Sequence, residues 1–412
     1  MNHGSVCITG YGVLSPLGQD LEAFDDALFG GDSAVCVEEL VLPGMAPCRV
    51  PLARCDFDES QVQAPSKVAL DRGSAMALAA AAAATRQAAW AVGDTDPERV
   101  GIYWGSGMGG GASFDDNCHT VYAEQRRLRP TSVVTTMPNA ALAELALRYA
   151  ARGAAIGYAC ACASAAVAIG EALLALRAGR LDLAIVGGSE APLAISIMGA
   201  WHAMRVLAPV GDAGNEPSRA VCRPFAADRA GFALGEGAAA LVLESEAHAR
   251  ARRVGWDVQL SGYASTCDGL YITQPDPAGQ VRAMQAALRD AGLTPGEIGH
   301  VNAHGTATSA GDAAEAESLG RVFGGKPPAV TATKAAMGHL LGAGGAVELV
   351  ATLRALQRRM APPTAHQAAL DAGIEIDLVR GQARELPRLK HAMSNSFAFG
   401  GTNAVLVASR VE

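Results

Sequence analysis

Runs of apolar and small residues recur along this chain, and Ala-rich stretches separate them. The runs are Val100–Trp104, Leu183–Val186, Ala239–Leu243, Val258–Ser261, His300–Ala303 and Ala404–Val407. Each is continuous rather than alternating, which is the pattern of a strand covered on both faces. The intervening stretches are rich in Ala and Leu, strong helix formers. The pattern predicts an α/β fold in which sheets are layered between helices.

A length of 412 residues suits two domains, or one fold made of two packed halves. The chain is 50% hydrophobic and 18% charged, with 47 glycines, so it predicts a large, tightly turned core rather than disorder. Near 246–257 it turns polar (His248, Arg250, Arg252, Arg253), which reads as a helix end and a connection. That places an N-terminal half at 1–255 and a C-terminal half at 256–412. No short-period repeat is visible, so any duplication of the halves does not show in the residues.

The net charge of −8 gives no overall basic field for nucleic acid or an anionic membrane. The most apolar stretch, Ala75–Ala84, falls short of the ~20 residues needed to cross a bilayer. Met1–Ser5 runs straight into the strand-like Val6–Gly10, so no secretory leader is expected. The nine cysteines are scattered, and the spacing of Cys160 and Cys162 suits neither a zinc knuckle nor a redox pair. Free thiols in a cytoplasmic protein are the expectation.

Chemistry concentrates in four segments. In Ile156–Ser164 a Cys-Ala-Cys sequence leads into a helix-favouring stretch, Ala165–Ala178, with Gly179 as its stop. Cys162 then sits at a strand-to-helix junction, where free N–H groups and the helix dipole favour a thiolate nucleophile. Val301–Thr308 places His304 just after a strand in a Gly/Thr-rich loop. Thr331–Leu340 repeats the arrangement with His339, and Lys334 precedes it. Loops at strand ends are where α/β folds collect catalytic groups. Neutral histidines can donate hydrogen bonds to an enolate oxygen, and Lys334 can hold a carboxylate in place. In the fourth segment, Asn395–Asn403, glycines allow close backbone approach, so an N–H here can complete an oxyanion hole with that of Cys162.

These segments, in this order and at these separations, resemble the β-ketoacyl-[acyl-carrier-protein] synthases, above all the elongating enzymes of type II fatty acid and polyketide synthesis. The resemblance extends from Ile8–Gly18 to Asn395–Asn403. It implies a thiolase-like five-layer α-β-α-β-α fold of two similar halves. It also implies a homodimer, or a heterodimer with a paralogous ketosynthase-like subunit. Substrates would arrive on the phosphopantetheine of acyl carrier protein, with no metal or other cofactor. By the same resemblance Cys162 is the acyl acceptor, and His304 and His339 serve decarboxylation and enolate stabilisation. Lys334 and Glu348 are the supporting pair. Phe399 gates the pocket and supplies the oxyanion-hole N–H, while Phe232 lies beside the malonyl group. Thr306, Thr308 and Thr273 contact the pantetheine arm. Phe114 aligns with a position at the deep end of the acyl pocket near the dimer interface, which implies short or compact acyl groups.

Ala398, Cys160, Ala226, Ala230 and Tyr271 depart from the residues usual in the family, which points to a specialised paralogue. Two other readings are a non-catalytic chain-length partner and a thiolase-like acyltransferase. The first typically lacks the cysteine, and the second generally pairs one histidine with a second cysteine. Lys67, Arg72, Arg126, Arg127, Arg129 and Arg205 are candidates for a basic rim that docks an acidic carrier protein.

Overall fold

The computed structural model describes residues 6–42, 44, 46–210 and 221–411; Met1–Ser5 lie outside the described residues. The first half contributes β1 (Val6–Leu14), β2 (Val100–Gly105), β3 (Ala155–Tyr158), β4 (Leu183–Glu190) and β5 (Gly237–Ser245). The second contributes β6 (Val258–Cys267), β7 (Ile298–Asn302), β8 (Ala329–Thr331), β9 (His391–Phe397) and β10 (Thr402–Arg410). The helices that matter here are α1 (Arg72–Gln87), α2 (Gly111–Tyr122), α3 (Ser164–Arg177), α4 (Ile195–Ala203), α5 (Pro277–Ala291), α6 (Ser309–Phe323) and α7 (Gly344–Arg358). Every apolar run noted above lies within or overlaps one of these strands. The charged stretch after β5 is a short helix, Glu246–Arg252, and then a loop.

Strand order exposes a duplication that the residues conceal. The first half runs β3-β2-β4-β5-β1 and the second β8-β7-β9-β10-β6. In both, the first and fifth strands pair antiparallel, as do the fifth and fourth, while the fourth, second and third run parallel. The halves meet where Val6 and Cys7 of β1 pair with Leu260 and Gln259 of β6.

The strands split their side chains between two cores, as a period of two requires. On β5, Ala239, Leu241 and Leu243 face the central layer, whereas Ala238, Ala240 and Val242 face α1. On β10, Leu406 faces the central layer, while Val405 and Val407 pack toward α5 and α6. The layers are therefore α1, a sheet, α3 with α7, a sheet, and α5 with α6. This is the five-layer α-β-α-β-α arrangement of two similar halves that the resemblance implies. The alanines make it compact: a Cβ on Gly12 would stand 2.3 Å from the Ala80 carbonyl oxygen, so α1 lies almost against β1. The central helices are covered on nearly every side. On α7, Val347, Leu349, Val350, Leu353 and Leu356 are all fully buried, and each such side chain contributes about 1.5–3 kcal/mol.

In each half, the connection from the third strand to a central helix ends in a tight turn, which in the second half follows a short helix, Lys334–Met337. In the first half it is Ala161–Ala163 ahead of α3, and in the second Leu341–Ala343 ahead of α7. Both turns start on a non-glycine residue in the left-handed region, Ala161 at φ 47° and Leu341 at φ 43°. Helix α3 stops where expected, with Gly179 at φ 68°. Among the described residues, no helix is long and apolar enough to cross a membrane.

Candidate active site

Cys162 is the second residue of the first turn, 7% exposed. Its strained entry is fixed by Ser164, whose hydroxyl donates to the Ala161 carbonyl at 2.7 Å and accepts the Cys160 N–H at 2.9 Å. The sulfur lies 3.0 Å from His339 Nε2. His304, from the loop after β7, stands with its ring centroid 5.5 Å from that of His339. The sulfur and one nitrogen of each ring fall within 4.8 Å of one another.

Backbone bonds hold both histidines. His339 donates its N–H to the Ala233 carbonyl at 2.7 Å, and its carbonyl accepts Gly235 N–H at 2.9 Å. The His304 and Gly305 N–H groups both donate to the buried Glu315 carboxylate, at 2.9 and 2.8 Å. Burial, the Lys334 charge and the neighbouring imidazole hold His304 well below its ordinary pKa; burial and Lys334 do the same to His339. Both rings are thus neutral at pH 7.

The tautomer of His339 follows from a neighbour. Leu341 donates its N–H to His339 Nδ1 at 3.3 Å, so the neutral ring carries its proton on Nε2, facing the sulfur. His339 is a hydrogen-bond donor here. The trio has the spacing of a metal site, but a cation would need a lone pair on that nitrogen and would meet the Lys334 charge. The donor set fits a developing oxyanion better than a metal ion.

Burial pushes the Cys162 thiol up to about 11, against the pull of Lys334, the Phe399 N–H and its own N–H. The sequence-based expectation of a resting thiolate is not met. The helix end does supply N–H groups, but removing the sulfur from water outweighs them.

Lys334 and Glu348 form an ion pair, each 1% exposed. Burial raises the Glu348 carboxyl to about 7. Glu348 does not reach the cavity, and its contacts are with Lys334 and Thr333. The Lys334 charge acts on both histidines, and Glu348 acts on Lys334.

A cavity of about 320 Å³ opens on the sulfur. Cys162, both histidines, Phe232, Thr273, Thr306, Thr308 and Phe399 all line it. The Thr306 and Thr308 hydroxyls bond to each other at 2.9 Å. Phe114 lies elsewhere: it projects from α2, is 60% exposed, and does not line the cavity. Of the basic residues, Arg205 is exposed between Met204 and Val206 of the cavity wall. Lys67, Arg126, Arg127 and Arg129 are exposed elsewhere. Arg72 is withdrawn from any rim, because its guanidinium is taken up by Glu236 at 2.8 Å and by Glu59.

Sequence reasoning missed Trp201, Glu190, Glu315 and Asp312. Glu190, on the last residue of β4, accepts N–H bonds from Gly107, Met108 and Gly342 at 2.6, 3.0 and 2.9 Å. Asp312 accepts those of Phe225 and Ala307 at 2.6 and 3.1 Å. Their one signal in the sequence is an acidic residue set within an apolar strand or an Ala-rich helix.

Residues 3–249 match the Beta-ketoacyl synthase, N-terminal domain, and residues 258–368 match the Beta-ketoacyl synthase, C-terminal domain. The chain belongs to the β-ketoacyl synthase family. This β-ketoacyl synthase is 35% identical to 3-oxoacyl-[acyl-carrier-protein] synthase 2 of Staphylococcus aureus strain N315, over 99% of the chain and 98% of the relative. It is 36% identical to nodulation protein E of Rhizobium sp. strain N33, over 98% and 99%. A type II polyketide ketosynthase solved with its acyl-carrier protein superposes on the whole of this synthase with a TM-score of 0.90 at 25% identity, over 100% of both chains.

Proposed function

We propose that the chain catalyses decarboxylative condensation of a Cys162-bound acyl group with malonyl-acyl carrier protein, in a type II fatty acid or polyketide pathway. The observation that carries this reading is one sulfur flanked by two neutral imidazoles and the Phe399 N–H, at the base of a threonine-lined cavity.

The Cys162 sulfur attacks the carrier thioester. A new S–C bond forms, the carrier S–C bond breaks, and the thiol proton leaves with the carrier thiol. Malonyl carrier then enters and its C–CO₂ bond breaks. The electron pair becomes an enolate whose oxygen accepts from His339 Nε2–H and from His304. The enolate carbon attacks the thioester on Cys162, and the N–H groups of Phe399 and Cys162 receive the tetrahedral oxyanion. Collapse breaks the S–C bond and frees β-ketoacyl carrier, and the Cys162 thiolate takes a proton from water to restore the thiol. Each step uses groups of the chain, of the carrier arm or of water, so no metal or organic cofactor is required.

Cys162 is the only thiol among the described residues that line the cavity, which favours this chemistry over that of a thiolase with a second cysteine. The exposed apolar residues Phe114, Tyr122 and Val133, together with the outer strand β3, are the surface we assign to the second subunit of a dimer.

Intact mass after incubation with acyl-carrier protein tests the reading, followed by addition of malonyl carrier. The wild type should gain one acyl group and then release β-ketoacyl product. Cys162→Ala should do neither, whereas Cys160→Ala should do both. Equal loss in the two variants would refute the assignment.

A further inference from the structure

We infer that Trp201 is a positioning residue that aligns the two sets of hydrogen-bond donors around Cys162, an inference that rests on the condensing reaction proposed above. Trp201 lies on α4 and lines the cavity. Its indole stacks on the Phe399 ring, with centroids 6.1 Å apart and planes at 25°. It also meets the Phe232 ring edge-on at 5.6 Å. Phe232 in turn lies edge-on to the His339 ring at 5.2 Å. One indole therefore bridges the ring beside the enolate donor and the ring whose own N–H acts on the sulfur.

Main-chain bonds hold both ends of this bridge, and the indole joins them through ring contacts. On the Phe232 side the frame is rigid. Phe232 donates to Val206 O at 3.0 Å, and Ala208 donates to Phe232 O at 2.9 Å. Ala233 and Gly235 are bonded to the main chain of His339. Trp201 is joined to this frame through the few residues that end α4. On the other side, Phe399 is followed by Gly400 and Gly401, at φ 86° and 81°. Main-chain bonds tie this turn as well: Ala398 donates to Thr402 O at 2.8 Å, Gly400 to Ile272 O at 2.8 Å and Gly401 to Ala398 O at 3.0 Å. They leave the Phe399 side-chain torsion to its neighbours, and the flat indole stacked on the ring sets it.

The consequence is kinetic. An oxyanion-hole donor acts only when it is aimed at the position the charge will occupy, and losing one costs about 10²–10³-fold in kcat. If the indole sets that aim, its removal should slow the chemical step and leave binding of the carrier arm intact. We assign that binding to Thr306 and Thr308, whose hydroxyls bond to each other and to the Gly311 N–H rather than to Trp201.

The test compares wild type with Trp201→Ala, Trp201→Leu and Trp201→Phe in condensation of a loaded acyl group with malonyl carrier. Ala removes the ring, Leu retains bulk without a plane, and Phe retains a plane that can stack. For Ala and Leu we expect kcat to fall at least about tenfold, with KM for malonyl carrier within about twofold. Phe should recover most of the loss. Thermal melts identify any variant that does not fold; if Ala fails, Leu decides. The inference is overturned if Leu keeps wild-type kcat, if the loss lies in KM alone, or if Phe is as slow as Leu. A wild type that loads no acyl group refutes the condensing reading itself, and the inference with it.

Discussion

Cys162 and Gly342 occupy the same place in the two halves, each the second residue of a tight turn between a third strand and a central helix. One position carries the proposed nucleophile, and the other carries nothing beyond the backbone. The reason is space: a Cβ on Gly342 would stand 2.1 Å from Gly107 N and 2.5 Å from Glu190 Oε2. The bare backbone lets Gly342 N–H reach Glu190, which ties this turn to the loop after β2.

Gly342→Ala should therefore destabilise the fold and slow acylation together. Overpacking of this kind costs about 1–3 kcal/mol, and here the neighbours are backbone with little room to yield. A fall in denaturation midpoint with unchanged m-value, alongside slower loading of Cys162, is the expected result. A variant as stable and active as wild type would show that the turn relaxes freely.

The buried thiol gives stability a sign that can be checked at alkaline pH. Burial raises Cys162 to about 11 from the usual 9.0, so the native state holds its proton more tightly than the unfolded chain does. Its contribution is complete below pH 9 and is lost as pH rises toward 11. Cys7, Cys55 and Cys222, raised to about 12, act in the same direction. Unfolding free energy should thus fall between pH 9 and 12. Cys162→Ala should remove on the order of 2–3 kcal/mol of that fall. Identical slopes in the two proteins would contradict a raised thiol.

The fold was legible where side chains report burial directly, and the site where a residue type has few other uses. The runs of β4, β5 and β10 mark buried strands because both faces of each are covered. Gly179 marks a helix end because few other residues adopt φ 68°. Cys162, His304 and His339 stood out by chemistry and by loop context. The duplication was hidden because strand order is a property of pairing, and the residues of the halves have diverged around it. Trp201 was missed because one aromatic on an apolar helix looks like core. Resting thiol ionisation was misjudged because depth of burial cannot be read from a helix start.

Lys334 and Glu348 make a buried pair whose partners are unequal in what their loss exposes. Lys334→Ala strands the Glu348 carboxyl, which burial already holds near 7. Breaking such a pair costs about 3–5 kcal/mol, and the cost should grow as pH rises past 7 and the lone carboxyl is forced to ionise. Lys334→Met with Glu348→Leu should recover much of it. The same charge depresses His304 and His339, so its removal lets both pKa values rise and moves the acid limb of the condensation rate to higher pH. An unmoved acid limb would mean that burial alone keeps the rings neutral.

Arg205 is exposed beside two residues of the cavity wall, so docking of an acidic carrier can be tested there. Arg205→Glu should raise KM for carrier-bound substrate and flatten its salt dependence, with kcat little changed. The comparison belongs at low ionic strength, where screening is least. No change in KM there would remove Arg205 from the docking surface.

Asp312 holds two strained turns at once. It accepts the N–H groups of Phe225 and Ala307, non-glycine residues at φ 64° and 62°. Ala307 lies between Thr306 and Thr308, and its carbonyl accepts Gly231 N–H at 2.9 Å, just before Phe232. The carboxylate thus joins the threonine loop to the segment that carries Phe232. Asp312→Ala would leave two buried donors unpaired, at about 1–3 kcal/mol each. Asp312→Asn is the sharper probe, because it keeps the shape and one acceptor. Burial raises Asp312 from 3.8 to about 7, so its favourable contribution is complete below pH 3.8 and is lost as pH rises through 7. Asparagine does not titrate. The stability gap between wild type and Asp312→Asn should therefore shift in favour of the variant from pH 4 to pH 7, then stay level. Denaturant midpoints across that range decide it, and a gap constant with pH would show that the carboxyl is already ionised at pH 4.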